Sequence, residues 1–266
     1  MKKFIIVLVI GLAVAWTTHK YDKDSSIDSA TTSAEISRLT EVSMPGNVQS
    51  QIKKYSNYTV SFNRDTHTPN WVAWVLTGEH TTGDVKRSNK FWTDESVIGC
   101  ASTSDYRNTG YDRGHMAPAG DMKWDEQAME ECFSMANIVP QAHTLNSGSW
   151  GKLEEKCRQR AVADSIVVIV CGPVPTDAPV AHIGLSSVAV PQRFFKVILS
   201  PTARPPKAIG FIMPNGYVDG GMQKCAVSVD SVESLTGYDF FAALPDEIEN
   251  ELESQCNFPQ WSHTRR

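Results

Sequence analysis

Ile166-Val167-Val168-Ile169-Val170-Cys171, an unbroken apolar run closed by Gly172-Pro173, constrains this chain more than any other stretch. Its β-branched residues and abrupt stop mark a strand buried in a core, and such a strand needs partners. Residues 58–62 and 71–76, separated by a turn over 63–70, read as a hairpin. Residues 188–190, 194–199 and 208–213 read as further strands, with Arg204-Pro205-Pro206-Lys207 as a turn. Residues 133–139 resemble a strand stopped by Pro140. Helical patterns fall at 124–131 and at 149–162, where Trp150, Leu153, Cys157 and Ala161 recur at spacings of three and four. Val229, Val232 and Leu235 share one helical face, and residues 244–253 form an acidic helix. At 266 residues and 41% hydrophobic, the chain can bury one sizeable core, and Gly 17 and Pro 14 among several short apolar runs favour a strand-rich mixed fold over a helical bundle.

The ends read differently. Met1-Lys2-Lys3 and the uncharged run to Trp16 form a basic and then an apolar region, with Ala13-Val14-Ala15 as a cleavage candidate. Residues 1–16 are therefore expected to be a signal peptide or a short membrane anchor, giving an exported protein, periplasmic or extracellular and with a membrane tether as the alternative. Residues 17–54 are polar and without period, as in a flexible linker. The folded domain is expected over 55–266, with a C-terminal extension of unknown role from about 225. Six cysteines fit an oxidising compartment, and one or two disulfide bonds are expected, although Cys171 also suits a small buried apolar role. The net charge of -5 argues against a broad basic surface but leaves room for a local basic groove.

Two stretches carry chemistry. Asp112-Arg113-Gly114-His115 leads into Met116-Ala117-Pro118-Ala119-Gly120-Asp121, small residues and a proline that must turn. In an extended chain, positions 113 and 115 point the same way, which sets a guanidinium beside an imidazole suited to take a proton from water. Packing, or a salt bridge to Asp112, is the other use of His115. About thirty residues on, Leu145-Asn146-Ser147-Gly148-Ser149-Trp150 opens a helix that Ser147 or Ser149 can cap. Asn146 offers a hard, uncharged oxygen to a divalent cation. Glu154, roughly 12 Å along the axis if both are helical, suits metal-bound water better than direct ligation. Taken alone, Asn146 as a turn or cap residue and Glu154 as a helix-surface residue each outweigh metal binding. A loop with Lys86, Arg87 and Lys90 precedes the first stretch and can reach the same groove. His143 is the one other histidine near it.

Asp112-Arg113-Gly114-His115, Asn137-Ile138-Val139-Pro140-Gln141 and Leu145-Asn146-Ser147-Gly148-Ser149-Trp150-Gly151-Lys152-Leu153-Glu154 together resemble the DNA/RNA non-specific endonuclease family. Trp71-Val72-Ala73, Val170-Cys171-Gly172-Pro173, Val190-Pro191 and Met213-Pro214-Asn215 extend the likeness over residues 55–216. The resemblance implies an α+β fold with a mixed, largely antiparallel central sheet, flanking helices and a ββα-metal (His-Me finger) motif. It implies His115 as general base and Asn146 as the one direct protein ligand to Mg2+, with Mn2+ or another divalent ion as alternatives. It further implies Glu154 orienting a metal-bound water, Arg113 and Arg87 on the reacting phosphate, and Arg158 contacting it from the helix; Lys90, on the cationic loop, is a flanking substrate contact by its position alone. The implied partners are DNA and RNA through their phosphate backbones; the sequence leaves the assembly open between a monomer and a homodimer. A phosphodiesterase for smaller substrates, or an inactive surface protein that binds nucleic acid, are the competing readings.

Overall fold

A computed structural model describes residues 33–263, which fold around a seven-stranded antiparallel sheet. In chain order the elements are α1 (Ser33–Arg38), β1 (Val42–Ser43), β2 (Gln51–Lys54), β3 (Thr59–Asn63), β4 (Thr68–Thr77), β5 (Asp112–His115) and α2 (Glu126–Glu131). Then come β6 (Ile138–Gln141), α3 (Gly151–Asp164), β7 (Ile166–Pro173), β8 (Ala181–Ile183), β9 (Val188–Val190), β10 (Arg193–Ser200) and β11 (Lys207–Pro214). The chain closes with β12 (Ala226–Val227), α4 (Val229–Thr236), β13 (Asp239–Phe240), α5 (Asp246–Glu253) and α6 (Phe258–Ser262). The large sheet has the order β12-β11-β10-β7-β4-β3-β2, so the apolar run at 166–171 sits at its centre.

That central strand is apolar throughout because both faces of the sheet are covered. Side chains alternate along each strand, so Val167, Ile169 and Cys171 join one apolar cluster while Val168 and Val170 join another. Val72, Trp74 and Leu76 of β4 face the first cluster, and Trp71 and Ala73 the second. Helix α3 covers the first face through Leu153, Cys157 and Ala161. On the second face α4 packs through Val229 and Val232, beside Phe240, Phe241 and Leu244. Each such side chain, once fully buried, contributes about 1.5–3 kcal/mol. The α+β architecture with flanking helices is thus the one expected.

Several expectations need correction. All six cysteines are free thiols. Cys132, Cys157, Cys171 and Cys225 lie in the first apolar cluster as small hydrophobic side chains, and the thiols of Cys132 and Cys171 donate to the carbonyls of Met129 and Met116. No disulfide therefore stiffens α3 at Cys157. Residues 33–54, expected as linker, supply α1, β1 and β2. Ile36 and Leu39 of that stretch bury against the second face, and β2 pairs with β3 at the sheet edge. The segment expected to be a signal peptide or anchor lies outside the described residues.

Candidate active site

Strands β5 and β6 form an antiparallel ribbon, with Asp112 opposite Gln141, Arg113 opposite Pro140, Gly114 opposite Val139 and His115 opposite Ile138. A π-type turn over Leu145–Trp150, broken at Gly148, then leads into α3, completing a strand-strand-helix unit. Glycine at 114 has a steric cause: a Cβ there would lie 2.1 Å from the buried Oε1 of Gln141. Asn137 fixes the chain after His115, its amide accepting from the Ala117 N–H and donating to the carbonyls of Ala117 and Cys132. Asn215 clamps the other end, donating to Pro140 and Pro191 and accepting from the Ala142 N–H. Neither serine caps α3. Ser147 donates to the His143 carbonyl instead, because the chain enters the helix already coiled in the wide turn.

His115 is 7% exposed, and its Nε2 is buried with no hydrogen-bond partner. Its ring meets the edge of Phe133 at 4.8 Å between centroids and a tilted Phe91 at 5.4 Å. Burial, reinforced by the Arg87 charge, pushes its pKa down to about 3, so the imidazole is neutral and able to accept a proton at ordinary pH. Its neighbour Asp112 does not pair with it. One oxygen of Asp112 accepts from both His143 Nδ1 and Asn146 Nδ2, each at 2.9 Å. That contact fixes the Asn146 amide with its nitrogen committed and its oxygen left available, as a site for a hard cation requires. The residues present therefore fit Mg2+.

The remaining predicted residues divide into two groups. Arg87 lies exposed over the face of Phe133 at 5.1 Å, its Nε donating to Asn89. It shares Phe133 with His115. Lys90 stands exposed on the same loop. Arg113 is held more tightly than a free phosphate ligand, donating to the Thr103 carbonyl at 2.9 Å and lying over Phe91 and Tyr106. Glu154 and Asn146 are not hydrogen-bonded to each other. Burial pushes the Glu154 carboxyl up to about 7, with Lys196, Arg158 and Arg87 opposing that shift and Asp121 adding to it. Arg158 pairs with Asp121 at 2.9 Å, where its side chain is 26% exposed and that of Asp121 is 1% exposed.

Lys196, Asp121 and Asp112 were not singled out as functional in the sequence. Lys196 interrupts the apolar alternation of β10 between Phe194 and Ile198, on the sheet face that packs under α3. It is fully buried, its Nζ lies 4.2 Å from the centroid of Trp150 and 5.4 Å from that of Trp74, and it has no hydrogen-bond partner. Burial works against its charge, but Cys171, Cys157, Glu154 and Asp121 reverse the direction and hold its pKa above the ordinary value. Asp121 also accepts from the Trp74 indole at 3.1 Å. Lys196 thus sets a buried cation against Trp150, and the Trp150 indole in turn donates to the His115 carbonyl. A lone lysine in an apolar run was the available signal.

One consequence can be measured without activity. Removing the guanidinium in Arg158→Ala takes the ion-pair partner from the buried Asp121 carboxyl and leaves it the Trp74 indole. We expect a loss of about 2–3 kcal/mol in urea unfolding, below the roughly 3–5 kcal/mol of a fully buried pair because Arg158 keeps some water contact. An unchanged unfolding midpoint would mean that the pair does not hold α3 to the loop.

A family model described as DNA/RNA non-specific endonuclease matches residues 36–247. The mitochondrial nuclease EXOG of Danio rerio is 38% identical over 215 residues, 74% of this chain and 63% of that protein. Mitochondrial endonuclease G of Homo sapiens is 31% identical over 214 residues, 75% of this chain and 71% of that protein. A nuclease of a Nostoc species is 31% identical over 216 residues, 76% of this chain and 77% of that protein. A crystal structure of an EndoG/EndoGI complex contains a chain that superposes with a TM-score of 0.72 at 31% identity, covering 81% of this chain and 94% of that one. The chain spans 56–63% of the length of the four EXOG proteins it matches. These relatives also overturn the expected export. The EXOG and endonuclease G proteins are named as mitochondrial, and the free thiols remove the argument from an oxidising compartment. Among the described residues no helix is long and apolar enough to cross a membrane.

Proposed function

The chain belongs to the DNA/RNA non-specific endonuclease family, and on that premise we propose that it is a metal-dependent nuclease hydrolysing the phosphodiester bonds of DNA and RNA. The observation that carries this reading is the pairing, within one strand-strand-helix unit, of an unpartnered imidazole nitrogen on His115 with an amide oxygen that Asp112 leaves open on Asn146. His115 accepts a proton on its imidazole from a water molecule as the water oxygen attacks phosphorus and the opposite P–O3′ bond breaks, leaving a 5′-phosphate and a 3′-oxygen that takes a proton from solvent. Asn146 holds the divalent ion, which when bound supplies positive charge against the growing charge of the transition state and leaving oxygen. Glu154 orients a water next to that ion. Its carboxyl, pushed up to about 7, is kept toward the charged form by Lys196, Arg158 and Arg87. Arg87, Arg113 and the exposed part of Arg158 position the phosphate, with Lys90 on the flank. Contacts to phosphate alone carry no base identity, which supports cleavage without sequence preference.

Polymer binding through this strip has a signature apart from turnover. With His115→Ala as background, duplex affinity should fall steeply with salt, since each neutralised phosphate releases counterions. Adding Arg87→Ala should weaken binding and reduce the log-log slope by about 1. Equal affinity for a short diester and for duplex DNA, with no salt dependence, would contradict a nucleic acid as the substrate.

A further inference from the structure

The C-terminal part of the chain brings three carboxylates to the seam between α4 and α5. Asp230 and Glu233 lie one turn apart on α4, and Glu253 ends α5. One carboxylate oxygen from each lies within 4.8 Å of the others. Glu253 is 5% exposed, and its Oε1 is buried without a hydrogen-bond partner. The charges acting on it most strongly, those of Glu233, Glu249, Asp230 and Asp239, are all acidic. The last turn of a helix adds the negative end of its dipole. A carboxylate placed so unfavourably needs a counter-charge or a proton. Glu233 is braced for ligation, because it also accepts from the Phe240 N–H at 2.8 Å, and Asp230 is exposed and opens the cluster to solvent.

We infer that Asp230, Glu233 and Glu253 form a second divalent-cation site that takes Ca2+ and staples α4 to α5. It is distinct from the catalytic centre, because α4 packs on the face of the sheet opposite α3. Three carboxylates from two helices suit Ca2+, which accepts roughly six to eight oxygens in flexible geometry, better than Mg2+, which demands a regular octahedron and keeps its waters. Glu249 and Asp239 add negative charge at the rim.

The test uses the full chain carrying Asn146→Ala, so that the proposed catalytic ligand is absent, titrated with CaCl2 by calorimetry and by thermal unfolding. One Ca2+ per chain and a Tm that rises with Ca2+ concentration are expected. Adding Asp230→Asn and Glu233→Gln, conservative changes at exposed and half-buried positions, should weaken binding by about tenfold or more and abolish the Tm rise. No heat and no Tm change at millimolar Ca2+, or full binding by the triple variant, would overturn the inference. So would Glu253→Gln raising Tm in a protein that binds no Ca2+, since a shared proton would then hold the cluster. Because neither readout is cleavage, failure here would leave the nuclease reading untouched.

Discussion

Replacing His115 with alanine is expected to slow single-turnover cleavage by at least about 10²-fold while leaving metal affinity nearly unchanged, since general-base contributions run from roughly 10² to 10⁴. The imidazole lies against Phe91 and Phe133 rather than among metal ligands, and it is the proposed proton acceptor. Its pKa, pushed down from 6.5 to about 3, sets the pH behaviour. The base is already neutral between pH 5 and 8, so the rate should show no loss there from protonation of His115. Stability follows the opposite ordering: the unfolded chain takes up the proton near pH 6.5, the folded one only near 3, so folding weakens as pH falls below about 6.5. A near-wild-type rate in the variant, with an unchanged melting curve, would remove His115 from the mechanism. Loss of metal binding alone would make it a ligand.

Asn146→Ala should act through the metal instead. Its amide oxygen is the proposed protein ligand, and its amide nitrogen is bound by Asp112, so the variant loses the ligand and frees one acceptor site on a carboxylate still held by His143. Magnesium binding should become too weak to saturate at millimolar concentration, and turnover should fall with it. Asp112→Ala offers the complementary case. Loss of the acceptor that fixes the amide should weaken metal binding by about tenfold or more while Asn146 is still present, as with other groups that orient a ligand. If calorimetry finds an intact, saturable Mg2+ site in Asn146→Ala, the asparagine serves only to brace the turn, and the ion is held elsewhere.

The strand-strand-helix unit that carries His115 and Asn146 is legible in the sequence because it depends on local order: a turn before a periodic helix and apolar runs closed by Gly-Pro, while the roles proposed for those two residues rest on the family resemblance. What stayed hidden depends on residues far apart in the chain. Asp121 and Arg158 are 37 positions apart, and Asn215 reaches back 75 positions to Pro140. Lys196 reads as one polar residue in a strand, and its face becomes defined only when β10 pairs with β7 and β11 and α3 covers them. Asp112, weighed as a partner for His115, holds Asn146 and His143 because the wide turn after β6 brings those two back to the start of β5. Cysteine content suggested bridges, but four of the six thiols are small apolar fillers of the core. The polar composition of residues 33–54 concealed Ile36 and Leu39, the two side chains that bury α1 and the residues just after it.

Digestion of supercoiled plasmid and of folded RNA by the purified chain, with Mg2+ and with the metal chelated, tests the central claim most directly. Both polymers should be cut in Mg2+ to 5′-phosphate fragments of no fixed sequence, cleavage should stop on chelation, and His115→Ala should be inert under the same conditions. Intact plasmid and intact RNA in Mg2+, Mn2+ and other divalent ions, from protein that melts cooperatively, would contradict it.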